Sequence, residues 1–288
     1  MYYFLSLLTG ILISFMVAVN GGLTQQYGIY SATVIIHIVG LIVITTTVLL
    51  KRQWPFSIRC DTVLYLGGAI GVMTTVFNNF SFGRISVSAI LALGLLGQSV
   101  TGLIIDQYGL FGMKKFPLTK GKLIGLLLIV IGIISMINNL EMLAVAASFA
   151  AGVCIVLART LNAKLADSTS VPISTFYNYF IGLIVSVPAF LILGRNEITE
   201  FAISPHWYIY LGGVLGVCVV LTSSITALKI SAFYLTLLIF VGQVFSGILI
   251  DAVIAQEIAL RNLIGGLLVA VGLGVNLLMD RESKGLSH

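Results

Sequence analysis

Polar and apolar residues in this chain segregate into long blocks instead of alternating. Ten continuously apolar runs can be read, at about 3–20, 31–50, 62–80, 86–105, 121–138, 142–161, 173–193, 207–227, 231–250 and 262–279. Each approaches the roughly 20 residues that a helix needs to cross a hydrocarbon layer. The strands of a membrane barrel alternate polar and apolar over about ten residues, and these runs do not. Helices are therefore expected, because a helix satisfies its own backbone hydrogen bonds in lipid. The first run has no Lys or Arg before it and no convincing cleavage motif, so it is expected to be a retained span rather than a signal peptide. The connections are short and leave no room for a soluble domain. The predicted fold class is an all-α polytopic membrane protein with ten transmembrane helices.

Composition narrows the function classes. Of 288 residues, 59% are hydrophobic and 9% charged, with a mean hydropathy of +1.12. A soluble domain carries roughly 25% charged residues to cover its surface. A cytosolic enzyme, a nucleic-acid binder and a disordered chain are excluded, despite a net charge of +5. Cys60, Cys154 and Cys218 are unpatterned and imply neither disulfides nor a metal site. HExxH, GxSxG, P-loop and CxxC motifs are absent from the sequence, and no reactive pair is visible within the spans. No enzymatic activity, metal or cofactor is expected. The lipid bilayer is the expected surroundings, and no nucleic acid is an expected partner.

The basic residues orient the chain. Cytoplasmic loops are enriched in Lys and Arg. With the N-terminus inside, twelve of the fifteen basic residues fall on the cytoplasmic side, leaving only Arg84, Arg195 and Arg261 outside. Both termini are expected to be cytoplasmic.

A shift of 145 places Gly67–Asp106 over Gly212–Asp251 without a gap, with twelve of forty positions identical. Apolar composition would supply chance Leu, Ile and Val matches. It would not align Gly67, Gly68, Gly71, Gly97, Gln98, Gly102 and Asp106 with their own kind. At a shift of 142, Gly10 meets Gly152 and Asn20 meets Asn162; at 140, Gly132 meets Gly272. The chain thus reads as two five-helix repeats, 1–140 and 141–288. Five is odd, so the second copy starts on the opposite side of the membrane and the repeats are inverted. Loop charge agrees: KRQWPFSIR follows the second run and RNEITEF its counterpart. Inverted repeats are a signature of secondary transporters with a site near the midplane.

The 5+5 arrangement resembles the drug/metabolite transporter superfamily. The stretch NNFSFGRISVSAILALGLLGQSVTGLIIDQYGLFG is more narrowly similar to the YdcZ family of bacterial inner-membrane proteins. Its most specific mark, G-Q-x3-G-x2-I-D, occurs at Gly97-Gln98…Asp106 and again at Gly242-Gln243…Asp251, whereas the trailing D-x2-G-x2-G follows only the first copy. Family members are often single five-helix halves, and this chain resembles two fused in tandem. The resemblance implies a drug/metabolite transporter-like fold in the bacterial inner membrane and brings no substrate. The small multidrug exporters of the same superfamily carry a glutamate in their first helix. Here that helix reads FLSLLTGILISFMVAVN, without an acid.

Every carboxylate lies in a loop or at the end of a predicted span. The candidate substrate-binding groups are therefore neutral. Gln98 shares one helix face with Gly94, Gly97, Thr101 and Gly102, and Gln243 repeats that face. Two readings of the glutamines stand: hydrogen bonds between packed helices, or donors and acceptors offered to a substrate. Asn78 and Asn79 lie late in the third run, opposite Ser223 and Ser224 in the eighth. His37 sits in the middle of the second run, with Tyr179 as its counterpart and Asn178 beside it. His37 is the one mid-span residue that ordinarily titrates near neutral pH. Asn20 and Asn162 are expected to end helices, and Arg159 to snorkel to lipid phosphates. Arg84 and Lys229 read as interfacial anchors. The glycine stripes at 125/132 and 265/272 suit packing or a dimer contact, so the chain is a monomer or a homodimer.

The expected function is secondary transport of a small metabolite by alternating access. A multidrug or cation exporter is the alternative, and a lipid flippase or scramblase the alternative from another class.

Overall fold

The computed structural model describes residues 1–57, 60–113, 141–197 and 203–255, with scattered positions between 115 and 131 and between 264 and 271. Its long helices are α1 (Tyr2–Tyr27), α2 (Ile29–Leu50), α3 (Leu66–Ser81), α4 (Val87–Tyr108), α5 (Met142–Ser168), α6 (Val171–Leu193), α7 (Gly212–Ala227) and α8 (Ala232–Ala255). Short 3-10 turns at Thr62–Tyr65 and Trp207–Leu211 lead straight into α3 and α7. With them, eight helices among the described residues are long and apolar enough to cross a membrane. The expected spans at 121–138 and 262–279 lie largely outside the described residues. No strand occurs among those residues, only an isolated bridge between Phe82 and Ile85 in the α3–α4 turn.

The helices differ from the apolar runs chiefly at two ends. α1 continues past Asn20 to Tyr27, and α5 continues past Asn162 to Ser168. The expectation that these asparagines end helices is corrected. A helix need not stop where apolarity stops if neighbours cover the next turn. Gly21 there faces the Phe82 ring, the Thr24 hydroxyl bonds back to the Asn20 carbonyl at 2.9 Å, and Ala163, Leu165 and Ala166 are buried.

Within the spans, hydroxyls return to their own helix. Thr9, Thr33, Thr101 and Thr160 each donate to the carbonyl four residues back, at 2.7–2.8 Å. This is how a threonine is accommodated where no water is available. α1 and α2 are joined by Gly28 alone, at φ 86°, a conformation that glycine adopts freely. The first N–H groups of α2 are taken up by the Glu197 carboxylate, which accepts from Ile29, Tyr30 and Ser31 at 2.9–3.0 Å. A carboxylate is also favoured there by the helix dipole.

α4 and α8 run antiparallel against each other, and each supplies the cap of the other. Asp106, at the end of α4, accepts from the N–H groups of Ala232 and Phe233 at 3.2 Å. Asp251, late in α8, accepts from those of Val87 and Ser88 at 3.1 and 3.0 Å. The acids are 145 residues apart, and so are the capped positions. The same exchange recurs where helices cross. A Cβ at Gly152 of α5 would strike the Gly94 carbonyl of α4, and one at Gly10 of α1 would strike the Ile239 carbonyl of α8. Close approach of this kind is what holds helices together in lipid, where apolar burial alone offers little advantage. Leu95, Leu103, Phe233 and Phe240 fill the α4–α8 contact. Large apolar side chains point outward on the periphery, among them Ile42, Leu50, Ile192 and Val253.

Candidate functional site

A cavity of about 140 Å³ lies between the helices, lined from α1, α2, α3, α5, α6, α7 and α8. Its polar groups come from both repeats in related places. Asn20 of α1 matches Asn162 of α5, and His37 of α2 matches Tyr179 of α6. The Asn20 side-chain Oδ1 lies against Gly212 at the start of α7, and that of Asn162 lies against Gly67 at the start of α3. The Asn162 side-chain Nδ2 donates to the Asn178 side-chain Oδ1 at 2.8 Å. The Asn79 amide donates to the Thr33 hydroxyl at 3.3 Å. The Asn20 side-chain oxygen is buried and has no hydrogen-bond partner among the described residues.

His37 is buried, and its Nδ1 lies 2.7 Å from the Thr33 carbonyl. A carbonyl can only accept, so Nδ1 carries the proton. Its ring stands 5.8 Å from that of Tyr179, whose hydroxyl points to the Gly213 carbonyl at 3.5 Å.

The residues expected at the site separate into two groups. His37, Asn78, Asn79, Asn178, Tyr179 and Ser223 line the cavity together. Ser224 is buried but does not line it, and its hydroxyl has no partner. Gln98 and Gln243 do not line it either. They lie where α4 and α8 cross α5 and α1, only 2% and 1% exposed. Their Oε1 atoms are buried without a partner, so among the described residues those oxygens make no interhelical bond. α4 contributes no residue to the cavity lining; its polar face is turned into helix packing.

The structure adds groups that the sequence placed elsewhere, Asn20, Asn162 and Arg159, and two that it did not single out, Thr74 and Thr75; all of them line the cavity. Asn20 and Asn162 had a visible signal, since they match at a shift of 142 within otherwise apolar helices. Arg159 does not snorkel out to phosphates. It is 6% exposed, and its Nη2 donates to the Thr236 hydroxyl of α8 at 2.8 Å. It lies three turns inside the helix end, because α5 runs beyond the apolar block. Removing it from the loop charges leaves eleven basic residues against three, so the expected orientation keeps its basis.

Arg84 behaves as an interfacial group, stacked 4.0 Å over the Phe80 ring and 3.6 Å from Glu141. Exposed pairs of this kind contribute little stability.

Comparison with known proteins follows the same division of the chain. A solved structure described only as "Crystal structure of protein" aligns with a TM-score of 0.68 at 16% identity, covering 96% of this chain and 97% of the other. At that identity the likeness is one of fold. Among curated proteins none matches. The family model described as "Putative inner membrane exporter, YdcZ" matches twice, over residues 1–135 and 143–275. Matched in both stretches, over nearly its whole length, the chain belongs to this YdcZ family of inner-membrane proteins.

Proposed function

We propose that the chain is a secondary transporter that moves a small solute outward across the inner membrane. It works by alternating access between two inverted five-helix halves, 1–140 and 141–288. The observation that carries this reading is the construction of the cavity. Repeat-related residues, Asn20 with Asn162 and His37 with Tyr179, approach one space from both halves. A site built on the pseudo-twofold between inverted repeats can be opened to either side by the same motion performed by the other half. The antiparallel α4–α8 pair, capped reciprocally at both ends, supplies a common axis for that motion. The outward direction rests on the family's description as exporters.

The test is transport by the purified protein in proteoliposomes, measured as counterflow over a panel of soluble metabolites. Saturable exchange of a soluble solute is the expected result, and it excludes a lipid flippase. Movement of labelled phospholipid with no exchange of any soluble solute would replace this reading with the flippase one.

A further inference from the structure

A charge inside a span is costly, and such a residue normally serves a pathway or a ligand. Among the described residues lining the cavity, Arg159 is the only permanently charged side chain, and none is a carboxylate. Two described groups act on it. Thr236 accepts one hydrogen bond at 2.8 Å, and the negative charge of Asp106 acts on the guanidinium from the end of α4. An arginine offers five N–H donors in a planar fork, and the hydrogen bond to Thr236 uses one of them.

The internal repeat supplies the control. Position 159 corresponds to Val17, position 236 to Leu91, and Asp106 to Asp251. In the first copy Val17 and Leu91 are buried apolar residues, 4% and 5% exposed. Asp251 there still makes the same two-bond cap on α4, at 3.1 and 3.0 Å. The fold therefore closes this corner, and the carboxylate cap forms, with a valine where the second copy has its arginine. Neither packing nor the cap requires an arginine at 159. What the second copy gains is a guanidinium at a cavity otherwise lined, among the described residues, by amides, hydroxyls, the His37 imidazole and apolar groups.

We propose that the cavity takes an organic anion, a small solute bearing a carboxylate or phosphate group, and that Arg159 binds that group. This rests on the transport reading of the same cavity. The guanidinium fork matches the paired oxygens of carboxylate and phosphate, and Asn162, one turn along α5, is placed to address the rest of the solute. A bare cation is disfavoured at the same spot.

The experiment uses the full chain in lipid nanodiscs and proteoliposomes. The probes are aliphatic mono- and dicarboxylates and sugar phosphates, set against their neutral amide or alcohol analogues and quaternary ammonium ions. Thermal stabilisation and counterflow are both read. The expected result is that anions alone raise the melting temperature and exchange. Arg159→Gln should weaken the effective anion at least tenfold, and Arg159→Lys, which keeps the charge but loses the fork, should fall between. Exchange of a neutral or cationic solute that is indifferent to Arg159→Gln would overturn the anion assignment and leave the transport reading intact. Exchange of an anion equally well by Arg159→Gln would overturn the role of Arg159. No exchange of any soluble solute would remove both readings. If the Arg159 variants fail to fold, Thr236→Val keeps the arginine and removes its anchor. It should alter anion affinity several-fold, and an unchanged affinity together with no charge preference in the wild type would overturn the proposal.

Discussion

His37 and Tyr179 both line the cavity and pack together with ring centroids 5.8 Å apart, and each ring lies over a glycine of the other's helix. A Cβ at Gly182 of α6 would meet the His37 imidazole, and one at Gly40 of α2 would meet the Tyr179 ring. Both the ring positions and the glycine positions are 142 apart. α2 and α6 thus pack by exchanging an aromatic ring for a missing side chain, twice, about one local axis.

This geometry separates the packing role of His37 from its capacity to titrate. Nδ1 is committed to the Thr33 carbonyl, and Tyr179 occupies the same place in the other copy without titrating near neutral pH. Asparagine can present an amide N–H close to where Nδ1 lies. His37→Asn is expected to retain most transport in proteoliposomes, and wild-type rates should change little between about pH 6 and 8. A steep dependence on an imposed pH gradient that disappears in the variant would identify His37 as a proton site.

The reciprocal caps make a quantitative prediction about stability. Removing an N-cap acceptor costs about 1–2 kcal/mol, and Asp251→Ala should lose about that much in reversible denaturation. Asp106→Ala should lose more, because it also takes away the negative charge that acts on the buried Arg159. Equal losses at the two sites would show that Asp106 and Arg159 are energetically independent.

The glutamines offer a test of what a buried amide contributes in a membrane core. Their Oε1 atoms lie buried and unbonded outside the cavity. Replacing such a group by an apolar one of similar size is neutral or stabilising. Gln98→Leu and Gln243→Leu are therefore expected to fold, to melt no lower than the wild type and to keep substrate affinity within a few-fold. Loss of transport with normal folding would restore the glutamines to the substrate path.

Orientation can be checked independently of transport. In a background lacking Cys60, Cys154 and Cys218, a cysteine at Pro205 should label from outside intact cells with an impermeant maleimide. One at Lys115 should label only after permeabilisation. Labelling of both from the same side would contradict inverted halves.

The membrane class, the positions of the eight described helices and the internal repeat were legible in the residues because lipid imposes a coarse, local rule. A span must be apolar for about 20 residues, and a duplicated gene keeps its glycines and acids in step. Asp106 and Asp251 stood out for that reason, although nothing local says that each caps the other copy's helix. That pairing joins groups 126 and 164 residues apart in the chain.

Hydropathy marks where a helix meets lipid, but it does not mark where the helix ends when protein covers the next turn. Asn20, Asn162 and Arg159 were misplaced for that one reason, and all three belong to the cavity. Conversely, Gln98 and Gln243 share a helix face that sequence periodicity can identify, whereas what that face meets depends on the crossing of α4 with α5 and of α8 with α1. The sequence by itself determined that the chain is a multi-span membrane protein and that its segments repeat one another. Only the tertiary structure decided which polar faces meet across a cavity and which are closed by a neighbouring backbone. That choice is made by contacts between residues far apart in the chain, Gly152 with Gly94 in one crossing and, at a far longer separation, Gly10 with Ile239 in the other.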